Sequence, residues 1–205
     1  MYYEKNGYLT AIVGSMFSEK SGELISRLLK ISEYQHRKVC VFKPGIDNRF
    51  AENEVVSRIG LRIKCHNLPQ HIDVATIAYL VDKYDVFGID EVQFFDESVL
   101  ELVDYLLDNE KEVLVSGLNT DFTGKPFPQT ASLMAMADEV VQKYAFCAKC
   151  GRPAVRSQLI VDGIPVVEMG ENNIIIGDKT YEPRCRHCFE KEKKTYGKGN
   201  QRSDC

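Results

Sequence analysis

The sequence predicts an α/β protein with a mostly parallel sheet, followed by a small β-rich segment that binds a metal ion. Three observations predict this fold. Short apolar runs alternate with helical patterns up to about residue 143, a glycine-to-Lys-Ser turn joins the first run to the first helix, and two Cys-x-x-Cys pairs follow. With 205 residues the chain is long enough for one or two domains. We predict an α/β domain over residues 1–143, a zinc-binding domain over 144–190 and a disordered tail over 191–205.

Composition excludes several classes of protein. The formal net charge is −4, which argues against a general nucleic-acid binder. The sequence contains no run of 18 apolar residues, so we predict no membrane span. The first residues lack the charged and apolar regions of a signal peptide, so a cytoplasmic location with reduced cysteines is expected.

The turn after the first apolar run has the layout of a phosphate-binding loop. Backbone N–H groups and a helix N-terminus would face the phosphates, Lys20 would reach the β- and γ-phosphates, and Ser21 would hold Mg²⁺. Glu19 replaces the second glycine of the motif, so an ordinary strand-to-helix turn remains an alternative. The predicted phosphate-binding residues are Gly14, Ser15, Met16, Phe17, Ser18, Glu19, Lys20 and Ser21.

The remaining elements follow from apolar spacing. The predicted helices cover residues 72–84, 99–107 and about 129–137, and the predicted strands cover 39–43, 86–89 and 113–115. Residues 46–60 show no clean period and are predicted to form a loop. Beyond residue 144, short β-like runs cover 157–161, 165–169 and 174–176, and Asp162-Gly163 indicates a hairpin between the first two.

A pair of acidic residues, Asp90 and Glu91, follows the predicted strand at 86–89. Ligands of such sheets bind outside the carboxyl ends of the strands, so Asp90 could share a magnesium ion with Ser21. Glu91 would then be free to take a proton from an attacking hydroxyl. The alternative is that the two acids only begin a turn or cap a helix.

Two Cys-x-x-Cys pairs supply four thiolates, which suffice for one tetrahedral zinc ion. A closed set of four cysteines is typical of a structural site. Two disulfides are the alternative, disfavoured by a reducing compartment. His187 lies inside the second pair and is predicted to be a surface residue. The predicted ligands are Cys147, Cys150, Cys185 and Cys188.

Aromatic residues cluster in the segments that follow two of the predicted strands. They could stack on a flat base, or they could belong to the core. These residues are Phe94, Phe95, Phe122 and Phe127.

Several of these segments together resemble the zinc-containing (type II) thymidine kinases. The resemblance covers about residues 7–189, and its motifs occur in the order of that family. They are Gly-Ser-Met-Phe-Ser-x-Lys-Ser at 14–21, Phe-Lys-Pro-x-Ile-Asp-Asn-Arg at 42–49, Gly-Ile-Asp-Glu-Val-Gln-Phe-Phe at 88–95, Gly-Leu-x-x-Asp-Phe-x-Gly-x-Pro-Phe at 117–127 and Tyr-Glu-Pro-Arg-Cys-Arg-His-Cys at 181–188.

The resemblance implies a RecA-like P-loop core with a zinc "lasso" domain. It implies transfer of the ATP γ-phosphate to the 5′-hydroxyl of thymidine, with deoxyuridine tolerated, to make dTMP in nucleoside salvage. Magnesium and structural zinc would be the metals, dTTP a feedback inhibitor and a homotetramer the assembly, with no nucleic-acid or membrane partner.

By the same resemblance, Glu91 is the catalytic base, and Asp47 and Arg49 lie near the phosphates. The nucleoside would be surrounded by Phe94, Leu118, Phe122, Phe127, Ile174, Ile176 and Tyr181.

The chain departs from the family pattern at Glu19, Asn119, Pro128 and Arg58-Ile59. Asn119 and Pro128 flank the expected base pocket and leave nucleoside preference open. For Glu19 we expect that the loop still forms, that the carboxylate points to solvent and that ATP binding is weakened. Two other functions stay open: a kinase-like paralogue with weak or lost ATP turnover, and a nucleic-acid-dependent ATPase, which the negative charge disfavours.

Overall fold

The computed structural model describes residues 7–46, 53–167 and 181–191. Its main helices are α1 (Lys20–Tyr34), α2 (Ser98–Asp108) and α3 (Pro128–Met136). Its strands are β1 (Tyr8–Gly14), β2 (Val39–Pro44), β3 (Glu54–Val56), β4 (Arg62–Lys64), β5 (His66–Leu68), β6 (Val86–Ile89), β7 (Glu112–Leu118), β8 (Glu139–Lys143), β9 (Ala145–Phe146), β10 (Pro153–Ala154), β11 (Arg156–Val161), β12 (Ile164–Val166) and β13 (Tyr181–Arg184).

A six-stranded sheet of order β5-β2-β6-β7-β1-β8 forms the centre of the molecule. Neighbouring strands in it run parallel, with Ala11 opposite Val115 and Val41 opposite Gly88. All six strands therefore end at one edge of the sheet, where their following loops meet. Strand β7 lies between β1 and β6, which precede the glycine turn and the acidic pair.

Both faces of the sheet are covered, because alternate residues of each buried strand point to opposite sides. On one face, α1 packs its residues Leu24, Ile25 and Leu28 against β-strand residues that include Ile12. On the other face, α2 and α3 bury residues such as Leu102 and Leu133 against the strands. These two cores hold the strand ends in fixed positions.

A β-rich segment follows β8 and carries the cysteines. Strands β9 and β10 pair with each other, and β11 pairs with both β12 and β13 in antiparallel order. Val161 lies opposite Ile164 across Asp162-Gly163, which confirms the predicted hairpin. The predicted fold class, a mostly parallel α/β core with a small β-rich metal-binding region, is confirmed.

The predicted helix over 72–84 is wrong. This stretch forms two short 3-10 turns, Val74–Thr76 and Ala78–Leu80. The Asp73 carboxylate accepts the Ala75 N–H at 3.0 Å, and the Thr76 hydroxyl donates to the Asp73 carbonyl. Such local side-chain bonds compete with the α-helical hydrogen bonds. Four apolar residues of the segment, Ile72, Ile77, Leu80 and Val81, are buried in the core, but from turns instead of a helix.

The predicted loop over 46–60 is also partly wrong, because β3 lies within it and pairs with β4. The edge strands β5 and β8 were not predicted as separate elements.

Four residues of the expected site, Asp47, Arg49, Ile174 and Ile176, lie outside the described residues. None of the helices in the described part of the chain has the length and apolar character that a membrane crossing needs.

Candidate active site and metal centre

The turn after β1 is closed by hydrogen bonds to its own backbone. The Ser15 carbonyl accepts the Ser18 hydroxyl at 2.7 Å and the Lys20 ammonium at 2.9 Å. Lys20 is buried although it begins α1, so its charge is held inside the turn. A buried lysine at a helix N-terminus, surrounded by backbone N–H groups, is an arrangement that can receive an anion.

Gly14 is required by a close approach of two chain segments. A Cβ at this position would lie 2.5 Å from the Lys143 carbonyl oxygen of β8 and 2.7 Å from the Ser18 hydroxyl. Any larger residue would push the turn away from the end of the sheet.

Glu19 has a left-handed backbone conformation, with φ 59° and ψ 38°. Glycine adopts this conformation without strain, whereas other L-residues are destabilised by about 1–2 kcal/mol. The conformation gives a physical reason for glycine at this position of the motif.

The Glu19 side chain is only half-exposed and does not extend into solvent, which corrects the expectation from the sequence. Its Oε2 atom is buried and has no hydrogen-bond partner in the part of the chain that the structure describes. A Cβ built on Gly22 would lie 2.9 Å from this oxygen and 3.5 Å from the Ser57 Cβ. The carboxylate is therefore folded back over the first turn of α1, beneath the turn between β3 and β4.

That turn also covers the phosphate loop on its outer side. The Arg58 guanidinium lies 4.2 Å from the centroid of the Phe17 ring, within the range of a cation–π contact. A second positive charge is thus placed beside the loop that carries Lys20.

Asp90, at the end of β6, lies beside Ser21 at the start of α1. Its Oδ1 accepts the Ser21 hydroxyl at 3.2 Å and also the Ser116 hydroxyl from β7. Hydroxyl and carboxylate oxygens are the donors that Mg²⁺ prefers, so Ser21 and Asp90 fit a magnesium ion.

Burial and the neighbouring Glu91 charge raise the pKa of Asp90 from 3.8 to about 6, although Ser116, Ser21 and Lys20 work in the opposite direction. Because the pKa is raised on folding, ionisation of Asp90 lowers the free energy of unfolding. This loss of stability is absent below about pH 3.8, grows as the pH rises and is complete above about pH 6.

We therefore predict that Asp90→Asn stabilises the metal-free protein by about 1–3 kcal/mol at pH 8 and by less as the pH falls toward 4.5. Urea unfolding of both proteins across this pH range measures the difference. Asp82→Asn, at an exposed aspartate, is the control and should change little. An equal gain at pH 8 and pH 4.5 would contradict the assignment of the cost to ionised Asp90.

Glu91 also has a left-handed backbone, with φ 52°, where the chain turns from β6 into a 3-10 turn, Val92–Phe94. Its Oε2 accepts the side-chain Nε2–H of Gln93, and the side-chain Oε1 of Gln93 accepts the Leu118 backbone N–H at 2.9 Å. Gln93 is buried, so it fixes the Glu91 carboxylate against the end of β7. Strained backbone at such a position is typical of functional sites.

Gln93 fits because residue 117 is glycine. A Cβ on Gly117 would lie 2.6 Å from a Val92 methyl carbon, 3.0 Å from the Gln93 carbonyl oxygen and 3.1 Å from the Thr130 hydroxyl. Neither Gln93 nor Ser116 was predicted from the sequence. The sequence offered a weak signal for each: Gln93 is a polar residue close to Glu91, and Ser116 is a polar residue directly after the apolar run at 113–115.

The aromatic residues expected around a nucleoside differ in exposure. Phe94, Phe127 and Tyr181 are partly exposed, as is Leu118, whereas Phe122 is 1% exposed. Phe95, which could have stacked on a base, belongs to the core behind α2.

The loop after β7 retains unsatisfied polar groups. The Asn119 amide oxygen and the Thr120 hydroxyl are buried and have no hydrogen-bond partner among the described residues. Gly124 of the same loop lies against the Phe189 ring, since a Cβ there would be 3.3 Å from it. The loop therefore contacts the cysteine-bearing segment, beyond the end of the sheet.

The four predicted cysteines come together in one group. Their sulfur atoms all lie within 4.8 Å of one another, and Cys150 Sγ lies 3.6 Å from Cys185 Sγ. A zinc ion with four sulfurs at about 2.3 Å gives sulfur–sulfur distances of about 3.8 Å. The described cysteines are free thiols, so the geometry fits a metal ion and not two disulfides. His187 is exposed and outside the group.

Backbone N–H groups prepare two of these sulfurs to bind a cation. Burial alone would raise the pKa of the Cys147 thiol, but N–H groups of Cys185, Lys149 and Cys150 lower it to about 6. The Cys188 N–H, as the largest effect, lowers the pKa of Cys185. The pKa of Cys188 is raised to about 12, first by its hydrogen bond with Cys150. Without metal the cluster holds protons, which zinc must displace.

The family model described as thymidine kinase matches residues 7–189, which include the phosphate loop, the acidic pair and both cysteine pairs.

Proposed function

Because this chain belongs to the thymidine kinase family, we propose that it transfers the γ-phosphate of ATP to the 5′-hydroxyl of thymidine and produces dTMP. The observation that carries the proposal is the placement of Ser21, Asp90 and Glu91 at one edge of the sheet. With these residues, the edge would combine a phosphate-binding loop, a magnesium site and a carboxylate for proton transfer.

In the proposed reaction, the loop N–H groups and Lys20 bind the ATP phosphates. Ser21 and Asp90 would hold Mg²⁺, which neutralises phosphate charge when bound. Glu91, oriented by Gln93, accepts the proton of the thymidine 5′-hydroxyl as its oxygen attacks the γ-phosphorus, and ADP leaves. Asp90 is bonded to Ser21 and Ser116, whereas Glu91 is bonded to Gln93, and these different surroundings support different roles for the two carboxylates.

The nucleoside is proposed to bind between the loop after β7 and the cysteine-bearing segment. Phe94, Leu118, Phe127 and Tyr181 offer partly exposed apolar surface for thymine, and Phe122 supports it from beneath. Ile174 and Ile176 are proposed for the same pocket, and Asp47 and Arg49 for the phosphates, on the resemblance alone. On the resemblance alone we also propose deoxyuridine as a second acceptor, inhibition by dTTP, a homotetramer and a cytoplasmic location.

A phosphoryl-transfer assay tests the proposal. Purified protein with Mg-ATP should convert thymidine to dTMP faster than deoxyuridine, and deoxycytidine slowly or not at all. Lys20→Ala should lose the activity, because it removes the proposed phosphate-binding lysine. Lys30→Ala is the matched control at an exposed position on the same helix and should keep the activity. A protein that phosphorylates deoxycytidine but not thymidine, or neither, would contradict the proposed substrate.

A second candidate function is a family member with weak ATP turnover. The observation that favours it is Glu19, which combines a left-handed backbone with a buried, unpartnered carboxylate oxygen. An unsatisfied buried oxygen costs about 1–3 kcal/mol. A carboxylate about 5 Å from a phosphate would weaken ATP binding by roughly 3 kcal/mol at an effective dielectric of about 20, and by less than about 1 kcal/mol in water.

We predict that Glu19→Gly stabilises the protein and tightens Mg-ATP binding by about tenfold or less, without changing nucleoside choice. Glycine removes both the strain and the carboxylate. Calorimetric titration with Mg-ATP and thermal unfolding measure the two effects.

Glu19→Gln separates the effect of the charge from that of the backbone strain. It removes the charge but keeps a residue other than glycine in the left-handed conformation. If native protein bound no Mg-ATP and Glu19→Gly restored binding fully, the weak-turnover function would replace thymidine phosphorylation.

A further inference from the structure

The phosphate loop is hydrogen-bonded to a part of the chain about 140 residues away. The zinc-binding unit, defined here as residues 144–167 and 181–191 with their four cysteines, supplies both partners. The Ser15 hydroxyl donates to the Ala154 carbonyl at 3.1 Å, and the Met16 N–H donates to the Ser157 hydroxyl at 2.9 Å. Ser15 and Ser157 are 1% and 2% exposed, so water does not compete for these bonds.

The next residue of the loop packs on the same unit. Phe17 contacts a small apolar cluster formed by Ala145, Ala154, Cys147 and Cys185. Its left-handed backbone, with φ 66°, gives the bend in the loop at this contact. Three consecutive loop residues thus rest on the zinc-binding unit.

The metal is what would hold these supports in place. Cys147 directly follows β9, which pairs with the strand that carries Ala154. Cys185 directly follows β13, which pairs with the strand that carries Ser157, and Ser157 lies opposite Pro183. The four sulfurs therefore join both supporting strand pairs at one point.

A phosphate site depends on N–H groups that already point in the right direction before the ligand arrives. Among the described residues, no strand pairs with the loop between β1 and α1. Ser157 and the Ala154 carbonyl fix two successive loop residues, and Phe17 anchors the third.

We propose that the zinc-binding unit positions the phosphate loop through Ser157 and the Ala154 carbonyl, so that metal binding and ATP binding are coupled. The proposal rests on the proposed function, since it takes the loop to be the ATP site. Ser157 is a positioning residue, because it acts on phosphate through the Met16 backbone. Coupling between two bound ligands is reciprocal: zinc should strengthen ATP binding and Mg-ATP should slow zinc loss.

The test follows zinc release to a chromogenic chelator with and without a non-hydrolysable Mg-ATP analogue. In native protein the analogue should slow release. Ser157→Ala should lose most of this protection and bind the analogue about three- to tenfold more weakly by calorimetry, with one zinc per chain retained. Ser157→Thr keeps a hydroxyl and should restore both properties. Ser15→Ala, which removes the other bond from the loop side, should also weaken the analogue.

Gln158→Leu is the control for general loosening of the zinc-binding unit. Gln158 is the next residue on β11 and bonds within the unit, to the Val166 carbonyl and the Glu190 N–H. This variant should release zinc faster but keep the same proportional protection by the analogue.

If native protein binds the analogue while Ser157→Ala and Ser15→Ala leave both affinity and protection unchanged, the coupling is overturned and the proposed function stands. Native protein that binds no ATP analogue would overturn both.

Discussion

Glu91→Gln should lower turnover by about 10²–10⁴ while both substrates still bind, the usual contribution of a general base. The variant keeps the local structure, because a glutamine carbonyl can still accept the Gln93 amide N–H that Glu91 accepts now. The loss therefore falls on proton removal and not on the fold. Steady-state kinetics with thymidine and ATP, together with calorimetric binding of each, separates kcat from affinity.

Glu97→Gln is the matched control, since Glu97 is an exposed glutamate a few residues along the chain. It should retain native turnover. If Glu91→Gln instead lost Mg-ATP affinity with little change in kcat, the roles of Asp90 and Glu91 would have to be exchanged.

Loss of zinc is the second large effect. Cys150→Ser should bind well under one zinc per chain, unfold the zinc-binding unit and abolish most of the activity. Structural zinc sites are stabilised by about 10–16 kcal/mol of apparent binding free energy at pH 7, so the small strands of this unit would not hold without metal. Elemental analysis gives the zinc content, and limited proteolysis should cut within residues 144–167.

Because the unit contacts both the phosphate loop and Gly124, we expect ATP and nucleoside binding to weaken together in this variant. Cys205→Ser, outside both Cys-x-x-Cys pairs, should keep its zinc and its activity. A metal-free protein with intact cysteines and full activity would refute the structural role of the metal.

The four-cysteine group was predictable, because each Cys-x-x-Cys pair places its two sulfurs within a few residues and spacing alone reports them. The loop after β1 and the Asp90-Glu91 pair are also local in sequence, and spacing predicts that both lie at one edge of the sheet, where Ser21 bonds to Asp90. The fold class followed for the same reason, from apolar runs that alternate with amphipathic helices.

Contacts between distant segments were not predictable from spacing. Ser116 meets Asp90 only because β6 and β7 are neighbours in the sheet. Ser157 meets Met16 across 141 positions, and nothing in either segment marks the other. The Glu19 carboxylate lies near Ser57 in the turn between β3 and β4, a contact that a predicted loop over residues 46–60 does not indicate.

The helix predicted over 72–84 failed for a local reason that apolar spacing does not report. Asp73 and Thr76 bond to nearby backbone groups and turn the chain before an α-helix can form. Burial of Ile72, Ile77 and Leu80 was retained.

The tight fit between Gly117 and Gln93 restricts how this protein can diverge. A side chain added at 117 would clash with a Val92 methyl group and displace the Gln93 amide that bonds to Glu91, so a change inside the sheet would reach the proposed base. A larger residue at 117 would need smaller residues at both 92 and 93. A smaller residue at 93 would itself remove the hydrogen bond to the Glu91 carboxylate, so either order of replacement disturbs the same carboxylate.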